Sequence, residues 1–536
     1  MLDLLIRGGM VVDGTGLPVA PVERSTVAIQ GDRIVDVGAL EGAQAARTID
    51  ATGRIVAPGF IDTHSHSDFT AFANPELQST VRQGVTTEIV GNCGLGCAPV
   101  TEHSRRALAE RLAAFAFSGP VDWSTFGGQL DAVERMGTSE NLAWFLGHNA
   151  VRAAAGVVGP NPTTEQLREM GGFVHEAMES GALGLSTGLE FEPGRLAGRE
   201  EIRQLVGVVG RHGGIHASHI RNRDARLLPA VDEFLDVTRA GGARAQVSHL
   251  NVRHNTGAED GAWEAAVEKV RSARAGGMDV FADATPMTSG DGVAAAILPP
   301  WLMADGPAAT AERLRDPEIR RRAREDSDRY WRFIHRGEWH RVRLLASAEY
   351  PELCGRTFPE IADALGTDEW NAFFDILAAA GENMEGVALV AELFTEQLSA
   401  ATVAHPLFLL GADTMSTTVD GPLSQQTRHP LHFAGHVHFL THHVRERHTL
   451  TLEEAIRKMT SMVADRFGLR DRGVLRAGAF ADVVVFDFEG LDDVSTVERP
   501  LAYARGVDHV LVNGRSVIQA GEHTGARPGR QLRMNG

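Results

Sequence analysis

The sequence predicts an α/β protein, a (β/α)8 barrel carrying a small β-sandwich built from both chain termini. Three observations lead there. The two ends of the chain share one style of short strands broken by Gly and Asp turns. The middle alternates short apolar strands with helical stretches, eight times over. Several of those middle strands end in His, Cys or Asp.

At the N-terminus, residues 2–40 hold the runs Leu4-Leu-Ile, Met10-Val-Val, Ser25-Thr-Val-Ala-Ile and Arg33-Ile-Val-Asp-Val, with turns at Asp13-Gly14 and Gly31-Asp32. Closely spaced runs with turn punctuation read as antiparallel sheet. Residues 482–520 repeat the style, with Asn513-Gly514 as a hairpin signal. Neither end has enough apolar residues for a core of its own, so both are expected in one composite domain, residues 1–57 and 474–536.

Between them the candidate strands are Gly59–His64, Thr86–Val90, Leu142–Gly147, Ala182–Thr187, Gly214–His219, Arg244–His249, Asp279–Asp283 and Leu407–Asp413. Helical patterns such as Thr164–Ser180 and Ala262–Ala275 lie between them. Repeated strand-then-helix units favour a closed parallel barrel over a doubly wound sheet, here across residues 58–473. The segment 284–406, between the last two strands, is too long for a single loop. It is expected to hold a helical insertion at about 287–400, in the position of a lid. The Arg-rich run at 312–345 is interleaved with acids and reads as a solvated helix face.

Composition narrows the function classes. Of 536 residues, 43% are hydrophobic and 23% charged, the balance of a soluble globular chain. No apolar run reaches the roughly 20 residues of a membrane helix, and the first residues lack the pattern of a signal peptide. Three cysteines exclude a disulfide framework and favour a reducing, cytoplasmic setting. A net charge of −18 argues against nucleic acid or an anionic membrane as partner. A small-molecule substrate is the expected partner, and a homo-oligomer is compatible with this composition.

The sharpest local signal is Asp62-Thr-His64-Ser-His66-Ser-Asp68 at a strand end. Residues i and i+2 of a strand point to one side, so His64 and His66 can face one ion. Taken alone, the pair reads equally well as two structural histidines. Four more strands end near Cys93, His219, His249 and Asp413. The C-terminal rim is where a barrel gathers its active site from separate strands. The six residues divide into His64, His66 and Asp413 for one ion and Cys93, His219 and His249 for another. A thiolate with two imidazoles favours Zn2+ and leaves a position for water. Metal-bound hydroxide is then the expected nucleophile, with Asp413 as general base and later proton donor. Cys97 and Cys354 have no comparable support and read as bystanders.

The stretches Gly59-Phe-Ile-Asp-Thr-His-Ser-His, Gln83-Gly-Val-Thr-Thr-Glu-Ile-Val-Gly-Asn-Cys-Gly, Gly181-Ala-Leu-Gly-Leu-Ser-Thr-Gly-Leu and Leu452-Glu-Glu-Ala-Ile-Arg-Lys-Met-Thr-Ser resemble the amidohydrolase superfamily. Within it the chain resembles the N-acyl-D-amino-acid deacylases, from Leu5 to about Gly521. The resemblance implies a metal-dependent TIM barrel with a β-sandwich from both termini. It implies zinc at Cys93, His219 and His249, and a weaker or optional site at His64, His66 and Asp413. Many binuclear amidohydrolases use a carboxylated lysine as bridge. Here the only lysines, Lys269 and Lys458, lie in helical patterns, so Cys93 is expected to serve instead, as in the deacylase branch.

The departures bear on substrate. Where the deacylases carry Lys, a Tyr-Pro-Tyr and an Arg, this chain has Asn251, Thr285-Pro286-Met287 and His429-Pro430-Leu431. Those family residues grip the substrate carboxylate and amide. An amide lacking that carboxylate is therefore the expected substrate, unless Arg152, Arg221 or Arg428 takes over the grip. His148, Arg152, Arg221, Asn251 and Ser289 are the candidate substrate contacts. His148 reads as a donor to a substrate oxygen or as a packed rim residue. Glu190 and Glu192 read as loop charges rather than pocket acids. Six histidines fall between His429 and His443. His432 and His436 share a helix face, as do His438 and His442. Without a carboxylate or thiol companion, they read as a pocket rim or an interface before a further metal site. The leading function is hydrolysis of a non-peptide amide bond. The alternatives are a cyclic amide, lactam or ester hydrolase on the same metals, and a non-catalytic scaffold, against which the intact ligand set speaks.

Overall fold

The computed structural model describes residues 2–18, 25–40, 42–326, 330–425 and 427–534. Its centre is a parallel barrel of eight strands: Phe60–Asp62, Val85–Val90, Asn141–Gly147, Gly184–Gly188, Ile215–His219, Arg244–Val247, Val280–Ala284 and Phe408–Leu410. Each pairs with its sequence neighbour, first to eighth. A parallel bridge between Ser65 and Thr414 closes the ring. The Thr63 hydroxyl donates to the Leu410 carbonyl at 2.6 Å across the same seam.

Barrel strands are covered on both faces, so they are buried along nearly their whole length instead of at alternate residues, the polar residues of Val85–Val90 and Ile215–His219 included. Asn141–Gly147, with Leu142-Ala-Trp-Phe-Leu at its centre, is buried at every residue. The outer helices are amphipathic. Arg199–Arg211 turns Ile202, Leu205, Val206 and Val209 inward at helical spacing. Thr164–Glu179 starts on a capping box between Thr163 and Gln166, which satisfies two otherwise free backbone donors.

The strands Leu2–Val11, Ser25–Gln30, Arg33–Gly38, Ala45–Asp50 and Ile55–Pro58 join Val483–Phe486, Val507–Val512, Arg515–Gln519 and Glu522–His523 in one ladder. Leu2–Val11 is bulged between Arg7 and Gly9. Its first half pairs with Ala45–Asp50 and its last residues with Ile55–Pro58. The bulge lets one strand serve both halves of the ladder. Leu4, Ile6, Val27 and Ile49 from the N-terminus pack with Val483, Val485 and Leu511 from the C-terminus. The Asn513-Gly514 hairpin has φ of 48° and 77°, the left-handed pair that a two-residue turn needs. Gln531-Leu532 leaves this sheet and pairs with Leu142 and Ala143 of the barrel.

The insertion corrects the expectation of a purely helical segment. Besides helices such as Pro317–Glu325, Phe358–Leu365 and Glu369–Ala380, it holds an antiparallel sheet of Ser289–Val293, Ala388–Glu392 and Val342–Ala346. These strands have five residues each, and Ser289-Gly-Asp-Gly-Val carries two glycines, so local propensity did not mark them. Their ladder partners lie far off in sequence. The insertion has its own aromatic core, including Trp331, Phe333, Trp339, Phe358 and Phe373. It meets the barrel rim where the His254 amide donates to the Leu393 carbonyl at 2.8 Å. No helix among the described residues is long and apolar enough to cross a membrane.

Candidate functional site

All six expected ligands converge at the barrel rim. The donor atoms of His64, His66, Cys93 and Asp413 lie within 4.8 Å of one another, as do those of Cys93, His219 and His249. Cys93 Sγ is the shared vertex. It lies 3.2 Å from His64 Nε2, 3.5 Å from His249 Nε2 and 3.7 Å from His219 Nδ1. Asp413 Oδ1 sits 3.4 Å from His64 Nε2 and 3.2 Å from His66 Nε2. The histidines and the cysteine are buried, whereas the Asp413 side chain is 34% exposed and opens the cluster to the barrel mouth.

The backbone is bent to make this possible. Cys93, His249 and Asp413 have φ of 53°, 36° and 56°, a region that side chains other than Gly seldom adopt. Such a conformation costs about 1–3 kcal/mol at each residue and must be held by its surroundings. Gly91, at φ +76°, lets the chain pass the Phe145 carbonyl, 2.3 Å from where a Cβ would stand. A Cβ at Gly188 would lie 1.9 Å from the Cys93 carbonyl oxygen, so only glycine lets the fourth strand abut that residue. Asp62 clasps the first and eighth strands together. It accepts from the amides of His64 and Ala412, both at 2.9 Å, and from the Thr414 hydroxyl at 3.0 Å. Asp283 accepts from the His249 amide at 2.8 Å and stands 3.4 Å from His64 Nδ1.

A second layer holds the rings. Glu190 Oε2 lies 2.7 Å from His219 Nε2, and Arg253, itself wholly buried, pairs with Glu190 and with Asp224 at 3.1 Å. Tyr330, from the insertion, places its ring 4.4 Å from the Arg253 guanidinium. Arg223 Nη1 is 3.0 Å from His249 Nδ1 and donates to Asn251 Oδ1 at 3.1 Å. Burial opposes the charge on Glu190, but Arg253 and His219 hold its carboxyl well below the usual range. Burial likewise works against the Cys93 thiolate, and His64, His219 and His249 overcome it and hold the thiol well below its ordinary value. His64 and His66 hold the Asp413 carboxyl well below its ordinary value.

The candidate substrate contacts fare differently. His148 and Arg152 are fully buried and both bond to Glu201, tying the helix His148–Ala154 to Arg199–Arg211. Arg221 is spent on Glu233 and on the carbonyls of Arg195 and Ala197, at 2.8–2.9 Å. Asn251 lies beside His249 and holds Arg223. Ser289 Oγ meets His429 Nε2 at 3.1 Å. Leu431 is 2% exposed and packed away. Lys269 pairs with Asp232, and Lys458 donates to the carbonyls of His405 and Phe408 at the opening of the eighth strand, so neither reaches the rim. Cys97 is a buried core residue.

Sequence reading missed several members of the site. Glu190, taken for a loop charge, is buried against His219; Glu192 does pair outward, with Arg195 at 2.9 Å. Arg223 and Arg253, not Arg221, are the guanidiniums at the rings. Asp291, from the insertion, comes 3.9 Å from His432 and is pushed up to about 7 by its burial and by Asp413. No sequence signal distinguishes these charges, because their partners are distant in the chain.

The donor set fits a metal. A thiolate and two imidazoles converge on one point, two more imidazoles and a carboxylate lie beside it, and the buried His66 Nδ1 has no hydrogen-bond partner. Soft sulfur with imidazole suits zinc and similar divalent ions. A parallel (β/α)8 barrel with such a rim defines a metal-dependent hydrolase.

Residues 47–325 and 401–518 match the amidohydrolase family, and the chain belongs to it. It is 34% identical to the N-acyl-D-glutamate deacylase of Alcaligenes xylosoxydans xylosoxydans, over 100% of this chain and 97% of that protein. It is 30% identical to the D-aminoacylase of the same organism, over 99% of this chain and 97% of that one. The crystal structure of N-acyl-D-glutamate deacylase from Bordetella bronchiseptica, complexed with zinc and a phosphonate mimic of the tetrahedral intermediate, superposes with a TM-score of 0.80. The two chains share 30% identity, and 99% of each is covered.

Proposed function

We propose that this protein hydrolyses the amide bond of an N-acylated small molecule, with zinc held by Cys93, His219 and His249 and a weaker second position at His64, His66 and Asp413. The convergence of all six side chains at the barrel rim carries this reading. Relatives named as deacylases of D-amino-acid derivatives support an N-acyl amine as the substrate class. Residues 58–473 form the catalytic unit on this reading, and 1–57 with 474–536 form a structural sheet domain. The few cysteines fit a cytoplasmic enzyme.

A metal held by these rim side chains would supply an activated water and a Lewis acid for the scissile carbonyl. The protein's own residues do the rest. Asp413 accepts the proton of the attacking water at its carboxylate and returns it to the departing amine nitrogen. His64 Nε2 and His66 Nε2 stand beside that carboxylate, at 3.4 and 3.2 Å. Glu190 and Arg223 fix the orientations of His219 and His249. Outer partners of metal-binding histidines typically contribute 10–100-fold in metal affinity. Glu190→Gln is accordingly expected to weaken zinc binding by about 10–100-fold. Competition with a chromogenic chelator measures it, and an unchanged affinity would show that Glu190 serves only Arg253.

Substrate preference follows from the charges. Arg152 and Arg221 are tied to Glu201 and Glu233, and Arg223 and Arg253 face Glu190. Asp291 adds a carboxyl near Asp413. A hydrogen bond from a cationic side chain to a substrate carboxylate contributes about 1.5–3 kcal/mol, and Asn251, Thr285 and Leu431 supply no such cation. A neutral N-acyl amine is therefore the preferred substrate. Comparing kcat/KM for an N-acetyl-D-amino acid and its neutral amide tests this, with the neutral compound expected to win by about tenfold or more. A clear preference for the free acid would place the grip on Arg428 or Arg223 and return the enzyme to ordinary deacylation.

A further inference from the structure

The six histidines of 429–443 do not behave as one group. His429 bonds to Ser289, His432 accepts from the Met415 amide at 3.1 Å, and His436 stacks on Phe60. The other three converge. Ring centroids lie 4.8 Å apart for His438 and His442, 5.0 Å for His442 and His443, and 6.1 Å for His438 and His443. One nitrogen from each lies within 4.8 Å of the others.

The local backbone explains the convergence. The helix Leu431–His438 runs directly into a π-helical stretch, Phe439–Glu446. Wider winding brings residues five apart onto one face, which aligns His438 with His443 beside the i+4 partner His442. Such stretches recur at functional sites.

Each ring is held from behind by an acceptor remote in sequence. His438 Nδ1 meets Asp493 at 2.5 Å, His442 Nε2 meets Glu396 at 3.0 Å, and His443 Nε2 meets the Pro286 carbonyl at 2.8 Å. Histidines that bind metals are typically oriented in this way, the second nitrogen donating to a carboxylate or carbonyl. The other nitrogen of His443, Nδ1, is fully buried and has no hydrogen-bond partner. An unpaired buried acceptor is costly unless something binds it. His438 and His442 are each 21% exposed, which leaves an entry path from solvent, and Glu446 lies 3.6 Å from His442 Nδ1.

We propose that His438, His442 and His443 form a further transition-metal site, independent of the barrel rim, that takes zinc or another borderline divalent cation. Asp493 and Glu396 supply the outer carboxylates. A cation there clips four segments together: the π-helical stretch, the Pro286 turn that leads into Met287 and Ser289, the start of the helix Glu396–Ala404, and the segment around Asp493. It shares no ligand with Cys93 and its neighbours, so it stands whether or not the rim reading holds.

The test is zinc stoichiometry of the untagged full-length protein, by equilibrium dialysis over a range of free zinc followed by elemental analysis. The double variant His438→Gln/His442→Gln is compared with wild type. Both side chains are partly exposed, so folding is expected to survive, and circular dichroism checks it. Should the pair fail to fold, His442→Ala alone is used. The expected result is one equivalent less zinc at saturation, with rim zinc and hydrolytic activity retained. Glu396→Gln, which leaves all three ligands in place, is expected to weaken the lost equivalent by about 10–100-fold. Equal zinc content over the whole titration would overturn the proposal. So would joint loss of all bound zinc, which would mean that the histidines support the rim and hold no ion of their own.

Discussion

Asp413→Asn is expected to leave the fold intact and remove nearly all turnover. Asn matches Asp in shape and is, with Asp, among the few residues that tolerate the left-handed φ of 56° found here. The neighbouring chain is unaffected, because Asp62 and not Asp413 holds the first and eighth strands together. What is lost is chemical. An amide cannot take the proton of water or return it to a leaving amine, and positioned acid–base groups contribute roughly 10²–10⁴-fold. The imidazoles of His64 and His66, at 3.4 and 3.2 Å, also lose their shared negative partner. Activity of the purified variant, with its metal content and circular dichroism, checks this. More than a tenth of wild-type turnover at unchanged metal content would reject Asp413 as the proton carrier.

Much of this architecture was legible in the sequence, for reasons that differ by element. The barrel strands fall close to the expected segments, and the clearest of them, Asn141–Gly147, has the unbroken apolar run that a strand buried on both faces can carry. The candidate metal-binding residues were legible because His64 and His66 sit two apart just beyond a strand end and because Cys93 is one of only three cysteines. The insertion's short sheet was not, since Ser289–Val293 owes its conformation to a partner about a hundred residues away.

Charges were the least legible. Arg221 and Arg223 are two apart and chemically alike, yet Glu233 draws the first away and His249 holds the second. Glu190 and Glu192 divide in the same way, between His219 and Arg195. Ion-pair choice depends on which distant side chains fold alongside, and neither spacing nor composition records that. The histidine cluster shows the limit from the other side. Its spacing was visible, but Asp493 and Glu396 reach it only through the tertiary fold.

Cys93→Ala is expected to have the largest effect on metal content. Its sulfur lies near three imidazoles at once, so its removal opens both ligand sets together. No lysine stands at the rim to replace it as a bridge. Changes behind a ligand typically weaken metal binding by 10–100-fold, and loss of the shared ligand is expected to exceed that. The variant should therefore lose rim zinc on dialysis and fall below a hundredth of wild-type activity. A second signature separates metal loss from simple destabilisation. Wild-type Tm should drop when a chelator strips the rim, because a ligand bound only by the folded state stabilises it. In Cys93→Ala that rim-dependent drop should vanish, leaving only whatever zinc at His438, His442 and His443 contributes. Cys93→Ser should behave nearly as badly, since a serine hydroxyl stays protonated at neutral pH and is a poor partner for zinc. A variant that kept rim zinc and the chelator-dependent drop in Tm would show that the histidines hold the ion without the thiolate. Cys93 would then be a packed neighbour of the site and not its hinge.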